Sequence, residues 1–224
     1  MGKLSVVATP IGNLEDVTLR ALRTLKECDV IYAEDPRVIS KLLARYSIAK
    51  PLRRLDAATE AAKAREVIAR LEAGEKVVLV SDAGTPGISD PGARLVAAVR
   101  DGLPEAVVEA IPGPSALTAA LSIAGLDTAE FTFLGFLPHK KGRQTALRDI
   151  AASPRAVVFY ESPHRVLKVL AVLADLAPAK RVAACRELTK LHESVVRGTA
   201  AEVSDYFANH PDEVRGEFVV IVAP

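Results

Sequence analysis

Tryptophan is absent from this 224-residue chain, methionine occurs once, and six Phe and four Tyr are its only other aromatic carbocycles. So sparse a supply argues against an aromatic platform on which bases stack. Cysteine is nearly missing too. Cys28 and Cys185 have no CxxC partner and no histidine at ligand spacing. That excludes a disulfide framework and a zinc site, and points to buried thiols in a reducing compartment. No sign of charge dominates: 29 Lys and Arg against 28 Asp and Glu leave a net +1. The whole molecule is therefore no general polyanion binder, and any affinity for nucleic acid must come from local patches. Long apolar runs are lacking as well. The longest uncharged stretch, residues 110–126, is broken by Pro112, Gly113 and Pro114 and falls short of a membrane span. Met1-Gly2-Lys3 leads straight into an apolar run with no signal-peptide pattern. A soluble, cytoplasmic protein without a metal or membrane partner is the expectation. P-loop, GxGxxG and GxSxG patterns are also missing, which argues against nucleotide hydrolysis, a dinucleotide fold and serine hydrolysis.

What is present is half hydrophobic and one quarter charged, the make-up of a globular chain of one large domain or two small ones. Two Pro/Gly-rich loops stand out: Thr9-Pro10-Ile11-Gly12-Asn13 after the apolar run 4–8, and residues 81–92, Ser-Asp-Ala-Gly-Thr-Pro-Gly-Ile-Ser-Asp-Pro-Gly, after 77–80. A short β-branched run that stops at Gly and Pro reads as a buried strand entering a sharp turn. In open α/β sheets ligands bind outside the carboxyl ends of such strands.

Around these loops, strands at 4–8, 29–33, 76–80 and 106–111 alternate with helices at 18–27, 38–46, 60–73 and 116–124. Gly74 closes the third helix. Asp90 reads as the cap of a further helix with Pro91 at its first position and Gly102 at its end. This half is a mostly parallel α/β unit. Beyond Pro112-Gly113-Pro114, strands at 131–137, 156–160, 181–186, 193–197 and 217–222 and helices at 142–151, 163–176 and 200–208 suggest an α+β half. The division expected is an N-terminal α/β domain over 1–114 and a C-terminal domain over 115–224.

Loops 9–13, 81–92 and 112–116 would open on one edge of the first half, where backbone groups can cradle a polar small molecule, and a helix starting near Ser115 offers free N–H groups. Acidic candidates are Glu34, Asp35, Asp82, Asp90, Glu161 and Glu187. Glu34-Asp35 sits at a strand end ahead of Pro36-Arg37, which favours function, and Glu187 with Lys190 follows another strand in the same way. Glu34, Asp35, Glu187 and Lys190 are thus the candidates for proton transfer. Residues 37–54 hold Arg37, Lys41, Arg45, Lys50, Arg53 and Arg54 with no acid among them, and His139-Lys140-Lys141-Gly142-Arg143 is basic too. Arg37, Lys41, Arg45, Lys140, Lys141 and Arg143 are the candidates for phosphate contacts, with solvated helix faces as the plain alternative.

The stretches Thr9-Pro10-Ile11-Gly12-Asn13-Leu14, Ala33-Glu34-Asp35-Pro36-Arg37, Val80-Ser81-Asp82-Ala83-Gly84-Thr85-Pro86, Asp90-Pro91-Gly92, Pro112-Gly113-Pro114-Ser115-Ala116, Gly135-Phe136-Leu137-Pro138, Phe159-Tyr160-Glu161-Ser162-Pro163-His164-Arg165 and Arg186-Glu187-Leu188-Thr189-Lys190 follow one another along nearly the whole chain. In this order they resemble the tetrapyrrole methylase superfamily, and within it the branch that acts on ribosomal RNA. The resemblance implies a two-domain α/β fold, with a mostly parallel N-terminal sheet and a mixed C-terminal sheet, and a homodimer. It implies S-adenosylmethionine as methyl donor, folded into the cleft between the domains. It also implies transfer to the ribose 2′-oxygen of a cytidine in the decoding region of 16S rRNA, within the small ribosomal subunit. By position, the donor should touch Pro10, Gly12, Asp82, Thr85, Ile88, Ser115 and Ala116, and its adenosine should lie against Tyr160, Cys185 and Phe218. Two departures are visible: Pro36 stands where the family has Thr, and the sequence stops at Pro224 where longer members carry a small extension. A methylase of corrin-type macrocycles and an RNA-binding assembly factor without turnover remain alternative readings.

Overall fold

The computed structural model describes residues 1–56 and 59–224, which form two compact units, Met1–Ser115 and Ala116–Pro224. The first unit runs β1 (Lys3–Val7), α1 (Leu19–Glu27), β2 (Val30–Ala33), α2 (Pro36–Arg45), β3 (Leu52–Arg54), α3 (Glu60–Glu72), β4 (Lys76–Val80), α4 (Ala93–Gly102) and β5 (Val107–Ile111). The five strands form one sheet in the order β3-β2-β4-β1-β5, and every pair is parallel. β2 and β4 are apolar on both faces because both faces are covered. On one side Leu4, Tyr32 and Leu79 pack with Val67 and Leu71 of α3 and Leu95 and Val99 of α4. On the other, Val7, Ile31, Val78 and Val80 pack with Leu25 of α1 and Ile39 and Leu42 of α2.

A parallel sheet sends all its carboxyl ends to one edge. The chain leaves β1 for β2, beyond β4, and later returns from β4 to β5 on the other flank of β1. The loops after β1, β4 and β5 therefore gather where the winding reverses, the place where such sheets hold ligands.

The second unit runs α5 (Ala116–Ala124), β6 (Phe131–Phe136), α6 (Arg143–Ala152), β7 (Ala156–Glu161), α7 (Pro163–Leu176), β8 (Arg181–Arg186), β9 (Ser194–Thr199), α8 (Ala200–Asn209) and β10 (Phe218–Val222). Its sheet, in the order β6-β7-β10-β8-β9, is mixed: β6 and β7 are parallel and the other pairs antiparallel. One face is buried under the helices in a core that includes Phe159, Leu170, Phe207 and Phe218.

One strand goes unread in the sequence and one local expectation is corrected. β3 does not announce itself, because a three-residue edge strand ending in Arg53 and Arg54 has no apolar alternation to read. α4 begins at Ala93, and Asp90 is not its cap. Gly92 precedes the helix at φ +136, outside helical geometry, and a Cβ there would sit 2.9 Å from Leu79 Cδ2. The cap comes instead from α3: buried Glu60 accepts the N–H groups of Gly92 (2.8 Å) and Leu95 (3.0 Å) on Oε1. Among the described residues no helix is long and apolar enough to cross a membrane, and no cluster of three or more His, Cys, Asp or Glu is suited to a metal.

Candidate active site

The three loops at the carboxyl edge of the first sheet are stitched together. Thr9 and Gly84 exchange both backbone hydrogen bonds, at 2.9 and 3.0 Å. Thr9 Oγ1 donates to the Ser81 carbonyl, and Thr85 Oγ1 donates to the Pro114 carbonyl at 3.2 Å. Gly84 sits at φ +78, where a Cβ would be strained and would lie 3.4 Å from Ile11 Cγ2 and 3.6 Å from the Pro114 carbonyl. Thus one glycine lets all three loops meet. Pro10 is buried, Thr85, Ser115 and Ala116 are half-buried, and Gly12 and Ile88 are exposed. None of these residues is a cation. Their offer is backbone, hydroxyl and apolar surface.

The carboxylates stand beside them at the same edge. Asp82 Oδ1 accepts the N–H of Asp35 at 2.9 Å, tying the end of β2 to the loop after β4. The two neighbours Glu34 and Asp35 are in opposite states. Asp35 caps α2 through the Arg37 N–H and takes the Arg37 guanidinium on both oxygens. Those bonds hold its carboxyl down at about 2. For Glu34, desolvation by burial and then the nearby charges of Asp82, Asp90 and Asp56 push the pKa up. Asp90 is likewise raised, by burial and then by Asp82.

Glu187 and Lys190 lie in the second unit, in the loop after β8, where Glu187 and Thr189 both adopt positive φ. Lys190 Nζ bridges Glu187 Oε1 and Glu217 Oε2, each at 2.8 Å, and Glu187 Oε1 also accepts the Glu217 N–H. A Cβ at Gly216 would collide with the Glu187 carboxyl. Burial opposes ionisation of both groups, but the mutual hydrogen bonds outweigh it, lowering Glu187 and raising Lys190. Glu187 is thereby a weaker base, and Lys190 holds its proton more tightly.

Strand register corrects a second expectation. Tyr160, Val219 and Cys185 form one row across β7, β10 and β8. Phe218 pairs with Glu161 and Arg186 in the next row, so its ring points to the opposite face. There it is 1% exposed, with its ring centroid 5.5 Å from that of Phe207. Phe218 therefore cannot share a surface with Tyr160 and Cys185; Val219 holds the place between them. Cys185 is fully buried, and its thiol is pushed up to about 12 by burial and then by Glu193.

The basic candidates also divide. Lys41, Lys140 and Lys141 are exposed, Arg45 leans over the Tyr46 ring at 5.8 Å, and Arg37 is exposed but paired with Asp35. Arg143 is different. Its side chain is 15% exposed and bound to the buried Glu161 carboxylate and the Pro138 carbonyl. It is a fixed structural group, not a free phosphate ligand. Sequence reading missed Glu60 and Val219. Glu60 looks like an ordinary first-turn acid of α3, and Val219 is singled out only once the register is known.

Residues 3–204 match the family model of the tetrapyrrole (corrin/porphyrin) methylases. The chain belongs to the tetrapyrrole methylase family. A ribosomal RNA small subunit methyltransferase I from Thermotoga maritima is 42% identical over all of this chain and 99% of its own length. A protein of the same name from Xylella fastidiosa is 47% identical over 99% of this chain and 81% of its own. The crystal structure of the methyltransferase CobJ superposes with a TM-score of 0.71 at 24% identity, covering 100% of this chain and 94% of that one, which attests the shared methylase fold. Within the family, this member puts Pro36 at the first position of α2, where its fixed φ suits a helix start capped by Asp35.

Proposed function

We infer that this chain is a 16S ribosomal RNA methyltransferase that uses S-adenosylmethionine and modifies the ribose 2′-oxygen of a cytidine in the small ribosomal subunit. The observation that carries the reading is identity of 42% and 47%, over essentially the whole chain, to proteins named ribosomal RNA small subunit methyltransferase I. The stitched loops fit the donor: residues 9–13, 81–92 and 112–116 carry no cation, they pack closely through Gly84, and the charges beside them are carboxylates, which suit a sulfonium cation. When bound, the donor supplies an electrophilic methyl group. Pro10, Gly12, Thr85, Ile88, Ser115 and Ala116 would hold it, with Asp82 fixing the edge of the loop, and Tyr160 and Cys185 are the second unit's candidates for the adenosine.

A ribose hydroxyl is a weak nucleophile, so a neighbouring group must accept its proton. Of the three carboxyl candidates only Glu34 has a raised pKa, and it sits at the donor-loop edge; Asp35 and Glu187, and the ammonium of Lys190, are held in their charged forms by partners. Lys41, Arg45, Lys140 and Lys141 supply exposed positive charge for RNA phosphates. The active form is a homodimer, so light scattering should report about twice the 23.8 kDa chain mass.

The deciding experiment is transfer of labelled methyl from S-adenosylmethionine to purified small ribosomal subunits, followed by mapping of the modified nucleoside. A labelled 2′-O-methylcytidine is expected. Donor binding without any transfer would favour an assembly factor, and transfer only to a macrocycle would favour a corrin methylase.

A further inference from the structure

β6 is an edge strand whose apolar side chains stay open: Phe136 is 60% exposed, and Phe131 and Leu134 are each 41% exposed. Phe136 is nevertheless well held. It stands opposite Tyr160 in register and packs against that ring with centroids 5.3 Å apart, while Phe133 packs against the same ring at 5.0 Å. In a regular strand residues 133 and 136 face opposite ways. The irregularity between them, with Gly135 at φ +62, lets both reach Tyr160. The composition is poor in aromatics, but the fold concentrates them here.

The next residues form the loop that carries His139, Lys140 and Lys141, all exposed. Its start is pinned at two carbonyls. Arg165 Nη1 donates to Leu137 at 3.2 Å and Arg143 Nη1 donates to Pro138 at 3.3 Å. Both guanidiniums close on Glu161, at 2.6 Å from Arg165 and 3.2 Å from Arg143, and the Ser162 N–H adds a third bond at 2.7 Å. The Glu161 side chain has no exposed surface. A buried ion cluster of this kind adds little net stability, so a role in fixing shape is the better account of it. Two guanidiniums against one carboxylate also leave the surroundings of the loop positive.

We propose that the open ring of Phe136 and the clamped Lys140-Lys141 loop form one binding surface for single-stranded RNA, an unstacked base lying on the ring and the adjoining phosphates meeting the lysines. The proposal rests on the RNA reading above and adds the stacking site and its clamp. Lys140 lies four residues beyond Phe136, at most about 14 Å of chain, so ring and ammonium groups can serve one short stretch of strand. Charge chooses the occupant. A protein face would cover the ring but leave the lysines and the positive clamp without counter-charge, and a symmetric contact with a second copy would bring two such lysine pairs towards each other.

Anisotropy titration of the full-length protein with labelled oligocytidylate at several salt concentrations tests it. Phe136→Ala should weaken binding by about 5- to 150-fold without altering the salt slope, because stacking releases no counterions, and Phe136→Tyr should bind like wild type. Replacing Lys140 and Lys141 together by Ala should flatten the slope by about 1.4. Arg143→Ala leaves Glu161 its bonds from Arg165 and Ser162 while freeing Pro138. It should weaken binding several-fold in the wild-type background and not further in the double-lysine variant. Full affinity in Phe136→Ala, with the lysines still mattering, overturns the stacking site. Full affinity and an unchanged slope in the double-lysine variant overturn the reading of this loop as an RNA contact. A fall in mass of Phe136→Ala by light scattering, at unchanged RNA affinity, would assign the ring to a second copy instead.

Discussion

Glu34 and Asp35 differ by one CH₂ and one position, yet the fold gives them opposite work. Asp35 is spent on α2 and Arg37; Glu34 is left among carboxylates without a cation of its own strength nearby, Arg54 being the weakest of the influences on it. A carboxyl whose folded pKa is raised makes folding less favourable as pH climbs from its unfolded pKa to its folded one. Glu34→Gln should therefore abolish methyl transfer, keep donor affinity, and raise the melting temperature at neutral pH while leaving it unchanged in acid. An equal melting temperature across that range would show that Glu34 carries no raised pKa. Asp35→Asn should do the reverse. Its pKa is lowered, so the stability it contributes is present above the unfolded pKa and is lost as pH falls toward about 2. The variant should melt earlier at neutral pH yet still methylate; loss of turnover with donor and RNA binding intact would move the proton acceptor to Asp35. Sequence could mark this pair as a strand end with function, but it could not rank the two. The ranking depends on Asp82 and Asp90, some fifty residues away.

At the scale of elements, what could be read was whatever is local. β4, α5, α7 and β8 lie at the residues their apolar period, Gly and Pro signals mark. What could not be read was set by contacts across the chain. Asp90-Pro91 is a sound local helix start, but Gly92 at φ +136 stands outside helical geometry, the helix begins at Ala93, and Glu60 replaces the cap from α3. Phe218 resembles a pocket residue until pairing with Glu161 and Arg186 fixes its face. Glu60→Ala leaves two N–H groups at the start of α4 without their acceptor, one of them in the loop before it. It should cost about 1–3 kcal/mol in urea unfolding and weaken S-adenosylhomocysteine binding in calorimetry. Glu60→Gln keeps an acceptor oxygen and should recover most of both. Lost stability with unchanged ligand affinity would separate the cap from ligand binding.

The whole molecule rests on two separate sets of cores. Leu71 is fully buried beneath the first sheet, and Leu170 is fully buried beneath the second. Truncating either to Ala should cost about 2–5 kcal/mol, in its own unit. Donor contacts were expected from both units, at the stitched loops of the first and at Tyr160 and Cys185 of the second. Linkage turns that expectation into a measurement, because a ligand stabilises only what must be folded to bind it. S-adenosylhomocysteine at one hundred times its Kd adds about 2.7 kcal/mol to each unit the site requires. If both units hold the donor, the ligand should raise the unfolding transitions of Leu71→Ala and Leu170→Ala alike in calorimetry. A ligand that protects the transition weakened in Leu71→Ala but leaves that of Leu170→Ala in place would confine the donor to the loops joined at Gly84. Tyr160 would then be left to support Phe136, and Cys185 to the sheet's own packing.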